Sequence, residues 1–368
     1  MSEQLCRWGI LGAATIARKN WQSIRLAGNA TLVAVASRDI DRSKAFIDQC
    51  QAHVPFPDQV DAMGDYDALL ARDDIDAVYI PLPTAVRKPW VIKAARAGKH
   101  VMCEKPVGVT AADVEEMLAA CDMNNVQFMD GVMFMHSKRL ELLRERLDDG
   151  ESVGQIKRIA TQFSFCAPDD WIAENIRTSS NLEPHGCLGD LGWYTIRIAL
   201  VAMKGQLPQR VSGRILTEKA RGDSPQAVPA EFSGELFFEG GVSAGFYCSF
   251  LTEHQQWVHI SGSKGSLAIR DFVLPCCSAE TSLEVSQPVF DLNGCDFVME
   301  DHSRRYAVPE YSHSHATSQE TNLFRQFSAL VLSGRIDNSW GKIALDTQKV
   351  LDACLASGRD GGTLVEIN

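Results

Sequence analysis

The stretch W-G-I-L-G-A-A-T-I-A at residues 8–17 decides the fold. A short apolar run passes through small residues straight into a helical pattern, the junction by which a buried strand feeds a helix. A dinucleotide fold needs a first Gly there for the tight turn. It also needs a small second residue, so that backbone N–H groups can approach a pyrophosphate, and a small third residue where helix meets strand. Gly12, Ala14 and Ala17 fill these places, with Ala14 where the strict G-x-G-x-x-G pattern has its second Gly. Any tight strand–helix turn can look similar, so the weight of this turn comes from its surroundings.

Working outward, short apolar runs alternate with amphipathic stretches up to about residue 130, the rhythm of repeated βαβ units around a buried parallel sheet. The pattern predicts strands at residues 7–11, 31–36, 77–81, 100–103 and 127–130, and helices near 16–27, 42–51, 88–97 and 111–123. Gly28 and Gly98 follow apolar-periodic stretches as C-caps do, and Thr110 precedes a helix as an N-cap. After a bridging helix at 138–148 the chain turns to β-branched and aromatic alternation at 156–165, 231–238, 242–251 and 258–262, with helices at 188–203, 319–332 and 343–357. The fold class expected is therefore α/β: an N-terminal Rossmann domain over residues 1–130, then a C-terminal α+β domain over 131–368 with an open, mostly antiparallel sheet. Phe237, Phe246, Tyr247 and Phe250 would either form a self-association face of that sheet or pack under the domain's own helices.

With 368 residues, two domains are favoured over one, and 45% hydrophobic against 23% charged residues is globular usage that excludes a disordered or fibrous chain. Lys and Arg total 36 against 47 Asp and Glu, a balance of −11 that argues against a nucleic-acid partner. No membrane association is expected, because the most apolar stretch, residues 194–203, is broken by Arg197. The start M-S-E-Q-L-C-R-W lacks the basic and apolar regions of a secretory signal, so a cytoplasmic location is expected. Eleven Cys without a C-x-x-C pair point to reduced thiols, and the vicinal Cys276 and Cys277 cannot close an unstrained bridge. The H-x-H of His313 and His315 has no obvious carboxylate or Cys partner, so no metal is expected.

Three further constellations carry chemistry. The second strand ends at Ser37-Arg38-Asp39, where a dinucleotide site reads the adenosine ribose; a hydroxyl and a guanidinium fork match a 2′-phosphate, favouring NADP, while a rotation presenting Asp39 would favour NAD. K-H-V-M-C-E-K-P at 99–106 delivers Glu104 and Lys105 to the carboxyl end of a strand, where ligands bind in open α/β sheets; a plain surface pair is the competing reading. G-C-L-G-D-L-G-W-Y at 186–194 sets Asp190 and Tyr194 four apart, on one helix face, and a Tyr near a Lys and an Asp can move a proton to or from a carbinol oxygen.

Together these segments resemble the glucose-fructose oxidoreductase and inositol dehydrogenase (Gfo/Idh/MocA) family. The likeness rests on residues 8–17, I-D-A-V-Y-I-P-L-P at 75–83, residues 95–106, and the E-K-P followed by G-D-x-G-x-Y. The resemblance implies that Lys105 is catalytic, Tyr194 the acid–base group and Asp190 its support. Gly12, Ala13, Ala14, Thr15, Ile16, Ser37, Arg38, Pro81, Thr84, Glu104 and Lys105 would hold the cofactor, NADP with NAD as the alternative. Tyr at 194 is similar to the branch of aldose and dihydrodiol dehydrogenases. Relatives usually show P-N-x-x-H where this chain has Pro83-Thr84-Ala85-Val86-Arg87. Arg87 would then either add positive charge beside an acidic substrate or face solvent. Trp171, Arg177 and His185 would line the substrate pocket. The implied function is hydride transfer between nicotinamide and a hydroxyl or carbonyl carbon of a sugar, polyol or cyclic diol, in a dimer or tetramer; the alternative is a cofactor-binding sensor without turnover.

Overall fold

The computed structural model describes residues 4–367. In its first part, strands β1 (Cys6–Leu11), β2 (Ala30–Ala36), β3 (Asp61–Met63), β4 (Ala77–Ile80), β5 (His100–Cys103) and β6 (Phe128–Asp130) form a parallel sheet in the order β3-β2-β1-β4-β5-β6. Helices α1 (Thr15–Leu26), α2 (Ile40–His53), α3 (Tyr66–Leu70), α4 (Thr84–Arg96) and α5 (Ala111–Met123) connect them. The central strands are apolar at nearly every position because helices cover both faces of such a sheet; Trp8, Ile10, Leu11, Val78, Tyr79 and Ile80 are fully buried. Of these elements β3 and α3 were not anticipated, since three half-buried residues and a five-residue helix carry no readable period.

The chain then continues as α6 (Lys138–Asp148), β7 (Ile156–Cys166), α7 (Asp169–Glu174) and α8 (Trp193–Ala202), followed by a run of strands and, before the last strand, the helices Gln319–Ser333 and Ser339–Arg359. The strands are β8 (Arg210–Lys219), β9 (Val228–Phe237), β10 (Ser243–Ser249), β11 (Leu251–Gly262), β12 (Ser266–Ile269), β13 (Glu280–Ser286), β14 (Val289–Asn293), β15 (Asp296–Glu300) and β16 (Ser303–Pro309), with β17 (Val365–Glu366) at the end. Eight of them join β7 in a nine-stranded open sheet of order β16-β13-β12-β11-β7-β10-β9-β8-β17, antiparallel except where β10 runs parallel to β7. β14 and β15 make a separate hairpin.

Strand alternation sorts the aromatic residues of this sheet. Phe246 and Phe250 are buried, Phe246 stacking on Phe232, whereas Phe237 and Tyr247 stand half-buried on the opposite face. Residues 246 and 247 are consecutive in one strand and cannot share a face, which corrects the expectation of a single four-aromatic surface.

Two compact units result, and each takes three pieces of chain. The first comprises the residues up to His136, Asn181–Glu183 and His313–Gln348; the second comprises Ser137–Ser180, Pro184–Ser312 and the residues from Lys349 on. A single cut at residue 130 is therefore too simple. The helix Gln319–Ser333 returns to cover β1, with the Trp8 indole donating to Ser328 Oγ at 3.0 Å and packing edge-on against Phe324. Among the described residues no helix is long and apolar enough to cross a membrane.

Candidate active site

At the β1–α1 junction Gly12 has φ +126°, and a Cβ there would lie 3.1 Å from the Leu82 side chain, so both conformation and space select Gly. Its N–H donates to the Ala36 carbonyl at 2.8 Å, fixing the turn to the end of β2. Ala14 starts α1 without any side-chain cap, and the first turn holds no acidic residue. Those features leave a positive helix end whose backbone N–H groups receive no cap from the N-cap side chain, and Ala17 is fully buried behind them. Ala13 and Ala14 are half-buried while Thr15 and Ile16 are exposed along the same turn. The turn therefore fits the pyrophosphate of a dinucleotide.

At the end of β2, Ser37 is buried with its N–H on the Met63 carbonyl at 3.1 Å, and Arg38 is exposed. Asp39 is the N-cap of α2, its Oδ1 accepting from the Asp41 N–H at 2.9 Å. A cap of this kind stabilises a helix by about 1 kcal/mol, which opposes the rotation that would present Asp39 to a ribose. Arg38 and Arg42 both act on the buried Tyr66 phenol, whose proton affinity rises through burial and is lowered by the two cations.

Glu104 and Lys105 are 8% and 7% exposed, so the surface-pair reading does not hold. Tyr79 donates its hydroxyl to Glu104 Oε1 at 2.6 Å, and the Lys105 N–H donates to Glu104 Oε2 at 3.2 Å. Burial, with Glu104 adding to it, holds the Tyr79 phenol well above its usual range, so it stays a protonated donor. Gly131 leaves room for this carboxylate, since a Cβ would meet Oε1 at 3.0 Å.

Arg87 needs the largest correction. It is 2% exposed and points into the protein, away from the solvent-facing or substrate-facing place expected for it. Its Nε and Nη2 donate to the Leu82 carbonyl at 3.0 and 2.5 Å, and its Nη1 donates to the carbonyls of Glu104, at 2.6 Å, and Pro106. Pro81 and Thr84 are buried in the same neighbourhood. Thr84 donates its hydroxyl to Glu183 Oε2 at 2.6 Å and its N–H to Oε1 at 3.1 Å, so Glu183 closes the first turn of α4. Nothing in the sequence singled out Glu183 or Tyr79, because their partners lie 99 and 25 residues away.

The second unit holds the remaining residues. Gly186, with φ +51°, could not carry a Cβ, which would fall 2.1 Å from the Pro229 carbonyl oxygen. The chain then winds as a π-helix over Leu188–Gly192 before α8 begins, so the expected continuous α-helix from 188 opens with a wider turn, a feature frequent at functional sites. Asp190 sits in that turn and pairs with Arg177, Nε to Oδ1 at 3.1 Å. Tyr194 is 6% exposed, its ring edge-on to Phe163 at 5.5 Å. Trp171 packs on Phe165 and Phe250, and His185 is buried. Among the described residues no group of three or more His, Cys, Asp or Glu is placed to hold a metal ion.

Comparison with known proteins agrees with this geometry. Residues 6–132 match the "Oxidoreductase family, NAD-binding Rossmann fold" and residues 140–268 the "GFO/IDH/MocA C-terminal domain". The chain is 26% identical over 355 residues to a dTDP-3,4-didehydro-2,6-dideoxy-alpha-D-glucose 3-reductase of Actinomadura kijaniata, covering 96% of both. It is 32% identical over 262 residues to a D-xylose 1-dehydrogenase (NADP(+)) of Haloferax volcanii, with 71% of this chain and 74% of that one covered. It is 30% identical over 274 residues to the trans-1,2-dihydrobenzene-1,2-diol dehydrogenase of Bos taurus, with 74% and 75% covered. The 3-ketoreductase KijD10 of A. kijaniata, solved with NADP and TDP-benzene, superposes with a TM-score of 0.80 at 25% identity over 96% of this chain and 98% of that one. KijD10 has also been solved with a lysine and with a tyrosine replaced. The matched regions, the dinucleotide turn and the E-K-P strand end all lead to one conclusion: the chain belongs to the GFO/IDH/MocA oxidoreductase family, and is an oxidoreductase built on a nicotinamide-dinucleotide-binding Rossmann fold.

Proposed function

We propose that the protein is an NADP-dependent oxidoreductase that moves hydride between nicotinamide and a hydroxyl or carbonyl carbon of a sugar, polyol or cyclic diol. The observation that carries this reading is a chain of contacts from the dinucleotide turn to Lys105. Gly12 packs on Leu82, the Leu82 carbonyl receives Arg87, and Arg87 reaches the carbonyls on both sides of Lys105. The Lys105 backbone is thereby held at the carboxyl end of β5, the edge where open α/β folds bind their ligands. The names of the relatives, a sugar 3-reductase, a xylose dehydrogenase and a diol dehydrogenase, favour the substrate class, and the Asp39 cap beside an exposed Arg38 favours the 2′-phosphate of NADP.

Gly12, Ala14 and the first turn of α1 would hold the pyrophosphate, and Ser37 and Arg38 the 2′-phosphate. When bound, the cofactor supplies nicotinamide carbon 4 as hydride acceptor or donor. In the oxidative direction Tyr194 would take the substrate hydroxyl proton at its phenol oxygen, with Lys105 steering that transfer. Asp190, held by Arg177, orients the Tyr194 turn. Eleven unpaired Cys suit a reducing, cytoplasmic setting.

Turnover with NADP of any member of a panel of aldoses, polyols and cyclic diols is the expected result. Tight NADP binding with no turnover across that panel would replace this reading with the sensor alternative.

A further inference from the structure

We propose that Arg87 is a positioning residue that fixes Lys105 for proton transfer, an inference that rests on the role given to Lys105 above. Three observations combine. First, the Arg87 guanidinium is buried, and an unsupported charge in such a place costs several kcal/mol. Its planar fork meets that cost by donating to three carbonyls, those of Leu82, Glu104 and Pro106. Second, the last two carbonyls belong to the residues directly before and after Lys105, so the backbone at Lys105 is gripped from both sides. Third, Leu82 follows β4 and packs on Gly12, so the same side chain ties the Lys105 strand end to the dinucleotide turn.

Only Arg can make this bridge. It carries five N–H donors in one rigid plane, whereas Lys offers a point charge on a flexible stem and an imidazole at most two donors. The His of the usual family pattern at this place, with at most two donors, could not serve all three acceptors. A catalytic group displaced by about 1 Å can lose about a hundredfold in rate, so a bridge of this kind acts on turnover more than on affinity.

The test compares Arg87→Lys and Arg87→Ala with the wild type by kcat, KM, NADPH affinity and melting temperature. In Arg87→Lys, which keeps the charge but loses part of the bridge, the melting temperature should fall, and kcat measured well below it should drop about tenfold or more while NADPH affinity stays near wild type. In Arg87→Ala, added guanidinium ion should restore part of the lost kcat. A third readout is independent of turnover. Reductive methylation with 13C-formaldehyde places a dimethyl signal on Lys105, assigned by its loss in Lys105→Arg, and Arg87→Lys should shift or broaden that signal. Wild-type kcat in Arg87→Lys, or a loss of kcat matched by an equal loss of NADPH affinity, would overturn the proposal. If the wild type turns over none of the panel, the function reading fails, and the Lys105 signal then decides on its own: unshifted in Arg87→Lys, it overturns the positioning role.

Discussion

Tyr194→Phe removes one oxygen and leaves the ring against Phe163, so its effect isolates the proton-carrying role proposed for that oxygen. Turnover should fall about a hundredfold or more with NADPH affinity nearly unchanged, the range for loss of a general acid–base group. Unchanged turnover would transfer that role to His185. Asp190→Asn keeps shape but weakens the pair with Arg177, so its loss should be smaller than that of Tyr194→Phe and should appear in kcat. At the other end of the cofactor, Arg38→Ala should erase most of a preference for NADPH over NADH that is expected to exceed tenfold, or about 1.4 kcal/mol. Titration of Trp fluorescence with each nucleotide measures it, and equal wild-type affinities would sink the assignment.

Two glycines of the second unit separate conformational strain from steric exclusion. Gly150 and Gly186 both have positive φ, but a Cβ at Gly150 meets nothing within 4 Å while one at Gly186 strikes the Pro229 carbonyl. Gly150→Ala should therefore cost only about 1 kcal/mol of stability and Gly186→Ala about 3 kcal/mol or more, read as denaturation midpoints. The elements themselves were largely legible, because β1, β2, β4 and β5 are mostly apolar runs and α5 begins at the capping residue Thr110. What escaped had local physical causes. The helix expected near 88–97 begins a turn earlier, at Thr84, whose N–H donates to the Glu183 carboxylate, and Pro89 lies inside it. The π turn at Leu188–Gly192 leaves the same apolar spacing as an α-helix over so few residues. The tight turn at Gly12 was readable from its small residues and the burial of Lys105 was not, whereas the place of Arg87 depends on carbonyls, which a sequence does not display.

For the whole molecule the open prediction is self-association. The outer face of the nine-stranded sheet carries half-buried Phe237, Tyr247 and Trp257, and no helix of the second unit is needed to explain their exposure, since the inner positions Phe232, Phe246 and Val258 already fill the core. The β14–β15 hairpin adds a second apolar surface. Phe290 pairs with Met299 and Leu292 with Phe297 on one face of the ribbon, and these four side chains are 56–70% exposed. Isolated apolar side chains on a surface are ordinary, but a contiguous patch of this kind marks an interaction site, and a closed two-fold contact uses the same patch on both copies. We therefore expect a dimer by light scattering at micromolar concentration, and a monomer there would refute the assignment. The double variant Phe290→Ser with Phe297→Ser divides the two surfaces. A raised dissociation constant with unchanged melting temperature places the hairpin in the contact, and an unchanged dimer assigns association to the outer sheet face alone.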